Sequence, residues 1–322
     1  MKVLMLIAIV GVALGACKSL DSAATSEQKS VFDAEGQRLP DHDADSNRVA
    51  WRPLRREADG ITGVGVLNAP ILLAIPDICT ASLIDTGATT GPAYVLTNSH
   101  CTFFEHWGFD PLKPDEFRTD RATSYYVTFN HFAGVPADLR MRYKLRRLTY
   151  TTEAGMDVAI MEVEATVAEL LAKGIKPLKL RAKRPPFGEP VRLIGVPLVL
   201  VSEEKMTLQI SECTIGRVAK LRNGIYSAPE SVVHRCSSVP GFSGGPLLDA
   251  AGGIVLLNSH GATEDSSDPP CTYATRPCEV MPDGSEVVVV EANYGQYVDR
   301  MAGCFGPDGR FDLARPDCRL PK

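Results

Sequence analysis

The sequence predicts an all-β fold, a sandwich or a barrel built from many short strands. From about Ile61 onward, Gly, Pro, Asp and Asn separate short β-forming runs, namely GVGVL, ASLID, YVLTN, VAIMEV, VRLIGV and GIVLL. Short strands alternating with turn residues are typical of such folds. Helix patterns are few: TVAELLAKG has a capping box from Thr166 to Glu169 and a stop at Gly174, and 295–303 could form a terminal helix.

Composition places the chain among globular proteins. It has 322 residues, of which 44% are hydrophobic and 23% are charged. The formal net charge of −5 lacks the basic surplus of a nucleic-acid-binding protein, so we predict no nucleic acid partner. The alternating stretch LRMRYKLR (139–146) is interpreted as a half-buried strand with a solvated basic face.

The first residues have the layout of a secretory signal, with a lysine, an apolar run over 3–14 and small residues before Cys17. The run is shorter than the roughly 20 residues that span a bilayer. Its end, LGAC, resembles the lipobox of bacterial lipoproteins, which implies a signal peptide over 1–16 and acylation of Cys17. A simple signal peptide with a chance cysteine is the alternative. Residues 17–60 then form a lipidated tether and an irregular arm, which holds the chain at a membrane of the cell envelope.

A serine between glycines, in GFSGGP, is the candidate nucleophile. An α/β-hydrolase motif would need a helix directly after Ser243, with the acid and the histidine downstream. Gly244, Gly245 and Pro246 disfavour that helix, and His260 is the only downstream histidine, so we reject this interpretation.

Partners of the right types lie upstream instead. YVLTNSHC ends a β run at His100, and GMDVAIMEV begins another at Asp157. The order His100, Asp157, Ser243 resembles that of the trypsin/chymotrypsin-like serine peptidases. That family's LTAAHC stands here as LTNSHC, its DIALL as DVAIM, its GDSGGPL as GFSGGPL, its CSGSLI as CTASLI and its SWG as SHG. The resemblance covers about 61–304 and implies a chymotrypsin-like double antiparallel β-barrel with few short helices.

The resemblance also implies a serine endopeptidase that acts on protein or peptide substrates as a monomer. Ser243 would attack, His100 would take and return the proton, and Asp157 would fix the tautomer of the imidazole. The backbone N–H groups of Gly241 and Ser243 would form the oxyanion hole. No cofactor is implied, and the cysteine and histidine spacings match no metal motif. The alternative is a catalytically silent binding lipoprotein on the same fold.

Phe242 departs from the digestive members of this family. They carry an aspartate there, which pairs with the N-terminal ammonium that zymogen cleavage frees. Phenylalanine cannot make that ion pair, so the chain is expected not to need N-terminal processing. We therefore expect similar activity from chains that begin at Ser19 and near Asp59.

The loop before Ser243 departs from the family around the specificity residues, because Cys236 lies seven residues before Ser243 where relatives place theirs four before. Ser237 and Ser238 fall near the base of the primary specificity pocket, and neither is acidic, which argues against a trypsin-like demand for Lys or Arg. The SHG segment implies a substrate strand. Glutamyl endopeptidases place a histidine near this strand, and Asn258 and His260 flank the corresponding position here. The strand candidates are Asn258, Ser259, His260 and Gly261.

The chain has nine cysteines, and the eight besides Cys17 form an even set in an exported protein. Family resemblance implies the pair Cys79–Cys101 and, from some bacterial relatives, Cys213–Cys236. Proximity in sequence favours Cys271–Cys278 and Cys304–Cys318. The last pair would tie down a C-terminal tail over 305–322.

Overall fold

The computed structural model describes residues 51–69, 78–105, 108–198, 206–224, 226–261, 269–271, 276–290 and 292–322. Cys17 and the expected signal peptide therefore lie outside the described residues. Two short helices are present in these ranges, α1 (Arg56–Asp59) and α2 (Val167–Ala172). The other elements are strands and turns, and no helix in the described ranges is long and apolar enough to cross a membrane.

Six of the strands in the first half close into an antiparallel barrel. The strands of this half are β2 (Val64–Asn68), β3 (Ile78–Asp85), β4 (Pro92–Thr97), β5 (Phe104–Glu105), β6 (Gly108–Phe109), β7 (Phe117–Ala122), β8 (Tyr126–Phe129), β9 (Met141–Thr152), β10 (Val158–Thr166) and β11 (Leu178–Lys179). The order in the barrel is β10-β4-β3-β2-β8-β9, and β9 pairs with β10 to close the ring. Strand β7 extends this sheet, while β11 pairs with β3 and β5 with β6.

A second six-stranded antiparallel barrel follows. The strands of this part are β1 (Trp51–Pro53), β12 (Pro190–Gly195), β13 (Gln209–Asn223), β14 (Tyr226–His234), β15 (Pro246–Leu248), β16 (Ile254–Gly261), β17 (Cys278–Val280), β18 (Glu286–Val287) and β19 (Asn293–Tyr297). The order in the barrel is β12-β15-β16-β19-β14-β13, and β12 also pairs with β13, so this ring closes as well. Strands β1 and β17 add to β13, and β18 adds to β17. The two barrels confirm the expected chymotrypsin-like fold.

Apolar side chains from both barrels meet in one shared core. Tyr94 and Ile160 of the first barrel and Leu257 of the second belong to the same buried cluster. The C-terminal tail joins it through Leu320, and the Tyr150 hydroxyl donates a 3.0 Å hydrogen bond to the Pro321 carbonyl. Because this core lies where the barrels meet, it fixes the loops that each barrel contributes nearby.

Local predictions from the sequence have mixed outcomes. The capping box of α2 is present, with reciprocal bonds between Thr166 and Glu169. Three of the four basic residues of 139–146 are exposed on β9, as expected of a solvated face, while Arg140 is half-buried just before the strand; the three are Arg142, Lys144 and Arg146. The helix predicted over 295–303 is wrong: β19 covers its first three residues, because Gly295 and Gln296 pair with both β14 and β16.

The end of the expected irregular arm is built into the fold. Residues 51–53 form β1 and 56–59 form α1, and Leu54 is fully buried. The physical reason is that β1 adds to an open stretch of β13 while Leu54 enters the shared core. The arm boundary at residue 60 is therefore too late for the ordered structure.

Among the cysteines that the structure describes, four disulfides are present, and they are the four expected pairs, Cys79–Cys101, Cys213–Cys236, Cys271–Cys278 and Cys304–Cys318.

Candidate active site

His100 lies at the end of β4, on a short 3₁₀ turn that the Cys79–Cys101 disulfide ties to β3. The turn is closed by Thr102, whose N–H and hydroxyl both donate to the Ser99 carbonyl at 2.8 Å. Ser99 and Cys101 are buried while the His100 ring is partly exposed. The turn therefore presents one imidazole at the surface of a rigid scaffold.

Asp157 precedes β10 and is fully buried beneath that ring. Its Oδ2 lies 2.6 Å from His100 Nδ1, and its Oδ1 accepts the His100 backbone N–H at 3.1 Å. Burial alone would raise the pKa of Asp157, but attraction to His100 and the hydrogen bonds from it lower that pKa overall. Since a carboxylate only accepts, Nδ1 carries the proton and Nε2 is left as the basic nitrogen.

Ser243 is half-buried in the loop between Val239 and Gly245, and main-chain bonds connect this loop to the first barrel. The Ser243 carbonyl accepts the Thr80 N–H at 2.8 Å. The Gly244 N–H donates to Asn98 Oδ1 at 2.5 Å, and Asn98 Nδ2 donates to the Asp157 carbonyl at 2.8 Å. Asn98 thus joins the serine loop, the end of β4 and the Asp157 segment.

Gly241 has the backbone conformation that the loop needs and only glycine tolerates. Its φ is +101°, and an added Cβ would lie 2.3 Å from the Val196 carbonyl oxygen. The Pro240 carbonyl accepts the Leu198 N–H at 2.9 Å. Because the N–H of a trans peptide points opposite to its carbonyl, the Gly241 N–H points away from Leu198. This orientation leaves that donor available for a developing oxyanion.

The candidates for the specificity pocket come from two segments, 237–238 before Ser243 and 258–261 at the end of β16. Asn258 Nδ2 donates to Ser238 Oγ at 3.2 Å and to the Phe242 carbonyl at 3.1 Å, so the structure brings Ser238 and Asn258 together beside the serine loop. The Ser237 N–H donates to Ser211 Oγ at 2.8 Å. The Ser259 hydroxyl donates to the Tyr294 carbonyl and is buried, which leaves only its main chain to face a substrate.

His260 and Gly261 are the last two candidates on the segment 258–261. The His260 ring lies 5.7 Å from the His100 ring, between centroids, and stacks on Tyr226 at 5.5 Å. Burial lowers the pKa of His260 to about 4, so this imidazole is neutral near pH 7. An added Cβ at Gly261 would lie 2.4 Å from Asn293 Oδ1, so the Asn293 side chain already occupies the space that a side chain at position 261 would need.

Sequence reasoning missed several residues that shape the site. Asn98 and Thr80 connect the serine loop to the first barrel, and Glu153, whose pKa burial raises to about 8, lies in the electrostatic field of Asp157. Asn98 had a signal, because LTNSHC carries an amide where the family's LTAAHC carries alanine. Trp51, which stacks on Phe242, had none, since it lies far from every motif.

Three side-chain groups in the described residues could in principle approach a metal ion. His100, Asp157 and His260 offer ligand atoms within 4.8 Å of one another, but both Asp157 oxygens already accept hydrogen bonds from His100. The other two groups each contain two cysteines joined in a disulfide, which have no thiolate to offer.

A family model described as a trypsin-like peptidase domain matches residues 79–255. The chain belongs to the trypsin-like peptidase family. The match includes His100, Asp157 and Ser243 of this trypsin-like peptidase. No curated protein sequence matches the chain.

Solved structures of proteases resemble the chain at low identity. The active form of the Rv3671c protease from M. tuberculosis is 17% identical, with 94% of this chain and 96% of that chain covered and a TM-score of 0.48. A Glu endopeptidase in complex with MPD is 13% identical, with 78% and 92% covered and a TM-score of 0.49. The MamO protease domain from Magnetospirillum magneticum is 14% identical, with 74% and 94% covered and a TM-score of 0.44.

Proposed function

We propose that this trypsin-like peptidase is a serine endopeptidase that uses His100, Asp157 and Ser243 as its catalytic triad. Ser243 Oγ attacks the substrate carbonyl while His100 Nε2 takes its proton. The N–H groups of Gly241 and Ser243 stabilise the oxyanion, and His100 then protonates the departing amine. Water then attacks the acyl-enzyme carbonyl while His100 takes its proton, and His100 returns that proton to Ser243 Oγ as the acid product leaves.

The observation that carries this proposal is the 2.6 Å contact between His100 Nδ1 and a fully buried Asp157. A carboxylate that is removed from water and aimed at Nδ1 stabilises the imidazolium that forms when the serine is deprotonated. Asn98 supports the assignment, because it holds the loop of Ser243 to the same pair of segments.

Labelling with a fluorophosphonate probe tests the proposal. The probe phosphonylates an activated serine whatever the substrate preference of the enzyme, and we expect covalent labelling at Ser243. Ser243→Ala should abolish it. Ser227→Ala, which removes an exposed hydroxyl from β14, should label like the wild type. A folded wild-type protein that does not react would favour the catalytically silent binding lipoprotein instead.

For the primary specificity pocket, we propose a neutral polar lining rather than an acidic one. Ser237 and Ser238 carry no charge, and Asn258 donates to Ser238 Oγ at 3.2 Å. Without a carboxylate at these positions, a substrate Lys or Arg would lose its hydration with no partner to replace it. Cleavage of a peptide library should show no dominant Lys or Arg before the cut site; a strict preference for either would contradict this lining.

We also propose that the protein is exported and anchored to a bacterial membrane by lipid on Cys17. Support comes from LGAC at the end of the apolar N-terminal run. Cells fed an alkyne-tagged palmitate should label the wild-type protein and not the Cys17→Ser variant, which should also leave the membrane fraction. Equal membrane partition of both proteins would favour the simple signal peptide.

A further inference from the structure

Phe242, directly before Ser243, is a buried part of the second barrel rather than a loop residue in solvent. It is fully buried in the core cluster of that barrel. Gly195 leaves room for the ring, because a Cβ there would lie 2.4 Å from Phe242 Cδ1. The Phe242 N–H donates to the Val239 carbonyl at 3.0 Å, and its own carbonyl accepts the Gly245 N–H at 2.9 Å. A shift of this ring therefore moves the loop on both sides of Ser243.

Trp51 covers that ring from the N-terminal arm. The two rings stack with centroids 5.4 Å apart and an interplanar angle of 27°. Trp51 is on β1, a three-residue strand that pairs with β13 at Ser211. Such a pair contributes about 0.5–1.5 kcal/mol beyond the area it buries.

The segment carrying Trp51 is itself held at two points. The Leu54 N–H donates to the Leu208 carbonyl at 2.9 Å, and the Leu54 side chain is fully buried. Arg52 makes two hydrogen bonds to Asp59, at 3.0 and 2.7 Å. The described part of the arm, residues 51–60, thus forms a docked unit, and the Trp51 ring within it lies against the residue next to Ser243.

We infer that Trp51 is a positioning residue for the reaction: the N-terminal arm, docked through the stack of Trp51 on Phe242, holds Ser243 and the Gly241 N–H in their reactive arrangement. This inference rests on the proposed peptidase function. Removing the indole leaves a void against Phe242 that the ring can shift to fill. A displacement of about 1 Å at a reacting group costs on the order of 100-fold in rate.

A role for Trp51 changes the activity expected of chains that begin at different residues. A chain that begins near Asp59 lacks Trp51 and Leu54, so it should react more slowly than one that begins at Ser19. No freed ammonium is involved, which agrees with the absence of an aspartate at 242. The arm acts through packing of a segment that needs no cleavage.

Phosphonylation rates of Trp51 variants test the inference. Trp51→Ala should react with the fluorophosphonate about 10–100-fold more slowly than the wild type. Trp51→Phe, which keeps an aromatic ring on Phe242, should recover to within about threefold. The matched control is Phe117→Ala, which removes one ring of a stacked pair with Tyr150 in the first barrel and should leave the rate unchanged. A wild-type rate in Trp51→Ala, or an equal loss in Trp51→Phe, would overturn the inference.

Hydrogen exchange separates failure of this inference from failure of the proposed function, because it needs no activity. The amides of Phe242 and Gly245 donate to carbonyls within the serine loop. Their exchange should be at least about tenfold faster in Trp51→Ala than in the wild type and unchanged in Phe117→Ala. If the wild type does not react with the probe, faster exchange at these amides in Trp51→Ala still supports a role of the Trp51–Phe242 stack in holding the serine loop. Unchanged exchange in Trp51→Ala would contradict it.

Discussion

Replacing Asn98 with alanine should reduce both stability and the reactivity of Ser243, because one buried amide connects the two halves of the site. Asn98 is fully buried, with Nδ2 2.8 Å from the Asp157 carbonyl and Oδ1 2.5 Å from the Gly244 nitrogen. Alanine removes both bonds and leaves a void between the two groups that the amide joined.

The two lost bonds are unequal. The Gly244 N–H keeps a second acceptor, the Asn258 carbonyl at 2.9 Å. Loss of its bond to Asn98 Oδ1 therefore costs only the net free energy of one hydrogen bond, about 0.5–1.5 kcal/mol. The Asp157 carbonyl loses a buried donor, which costs about 1–3 kcal/mol. Together these amount to about 1.5–4.5 kcal/mol of unfolding free energy. At about 2 °C per kcal/mol for a domain of this size, Tm should fall by about 3–9 °C.

Calorimetry and phosphonylation kinetics measure the two effects separately. Below the transition, the folded Asn98→Ala protein should react about 10–100-fold more slowly, because Ser243 is no longer tied to the Asp157 segment. The control is Asn130→Gly, which removes another buried amide, one that donates to the Leu139 carbonyl at 2.8 Å, and keeps the positive φ of +60°. It should lose stability at an unchanged rate. A wild-type rate in folded Asn98→Ala would refute the positioning role of Asn98.

Three further predictions concern the triad, the disulfides and pH. Ser243→Ala should abolish peptidase activity, a loss on the order of 10⁶, and Asp157→Asn should cost roughly 10⁴ through the wrong imidazole tautomer; wild-type turnover in either variant would end the assignment. Replacing Cys79 and Cys101 by alanine opens a bridge of sequence separation 22, which should cost about 3 kcal/mol in denaturant unfolding and slow phosphonylation. The bridge of separation 7 between Cys271 and Cys278 should cost about 2 kcal/mol without slowing it, and equal rates in both double variants would contradict this. Burial lowers the pKa of three histidines to about 4, so between that value and about 6.5 the unfolded chain binds more protons. The three histidines are His131, His234 and His260. The free energy of unfolding should therefore fall as pH drops through this window, by up to about 1.4 kcal/mol per pH unit for each histidine. The raised pKa of Glu153 has the opposite effect above about pH 4.5 and offsets the contribution of one histidine. Urea titrations that give equal stability at pH 7 and pH 5 would exclude this dependence.

Much of this protein could be predicted from local sequence patterns. The strands around His100 and Asp157 are short apolar runs bounded by turn residues, and the capping box of α2 uses residues three positions apart. Such signals survive in a linear sequence because each depends on neighbours in the chain. The cysteine pairs could be proposed because motifs and short separations limited the choices, and the order of the proposed triad followed from the motifs that contain its residues.

Contacts between segments far apart in the chain were decided only by the tertiary structure. Trp51 and Phe242 are separated by most of the chain, and no motif relates them, yet their rings stack at 5.4 Å. Asn98 connects Asp157 to Gly244, and its amide has two roles because the barrels bring both segments to it. The stretch 295–303 has a helical pattern, but pairing of its first residues with two strands makes it part of the sheet. Local preference amounts to a few tenths of a kcal/mol per residue, whereas burial between two paired strands contributes more, so the tertiary environment prevailed.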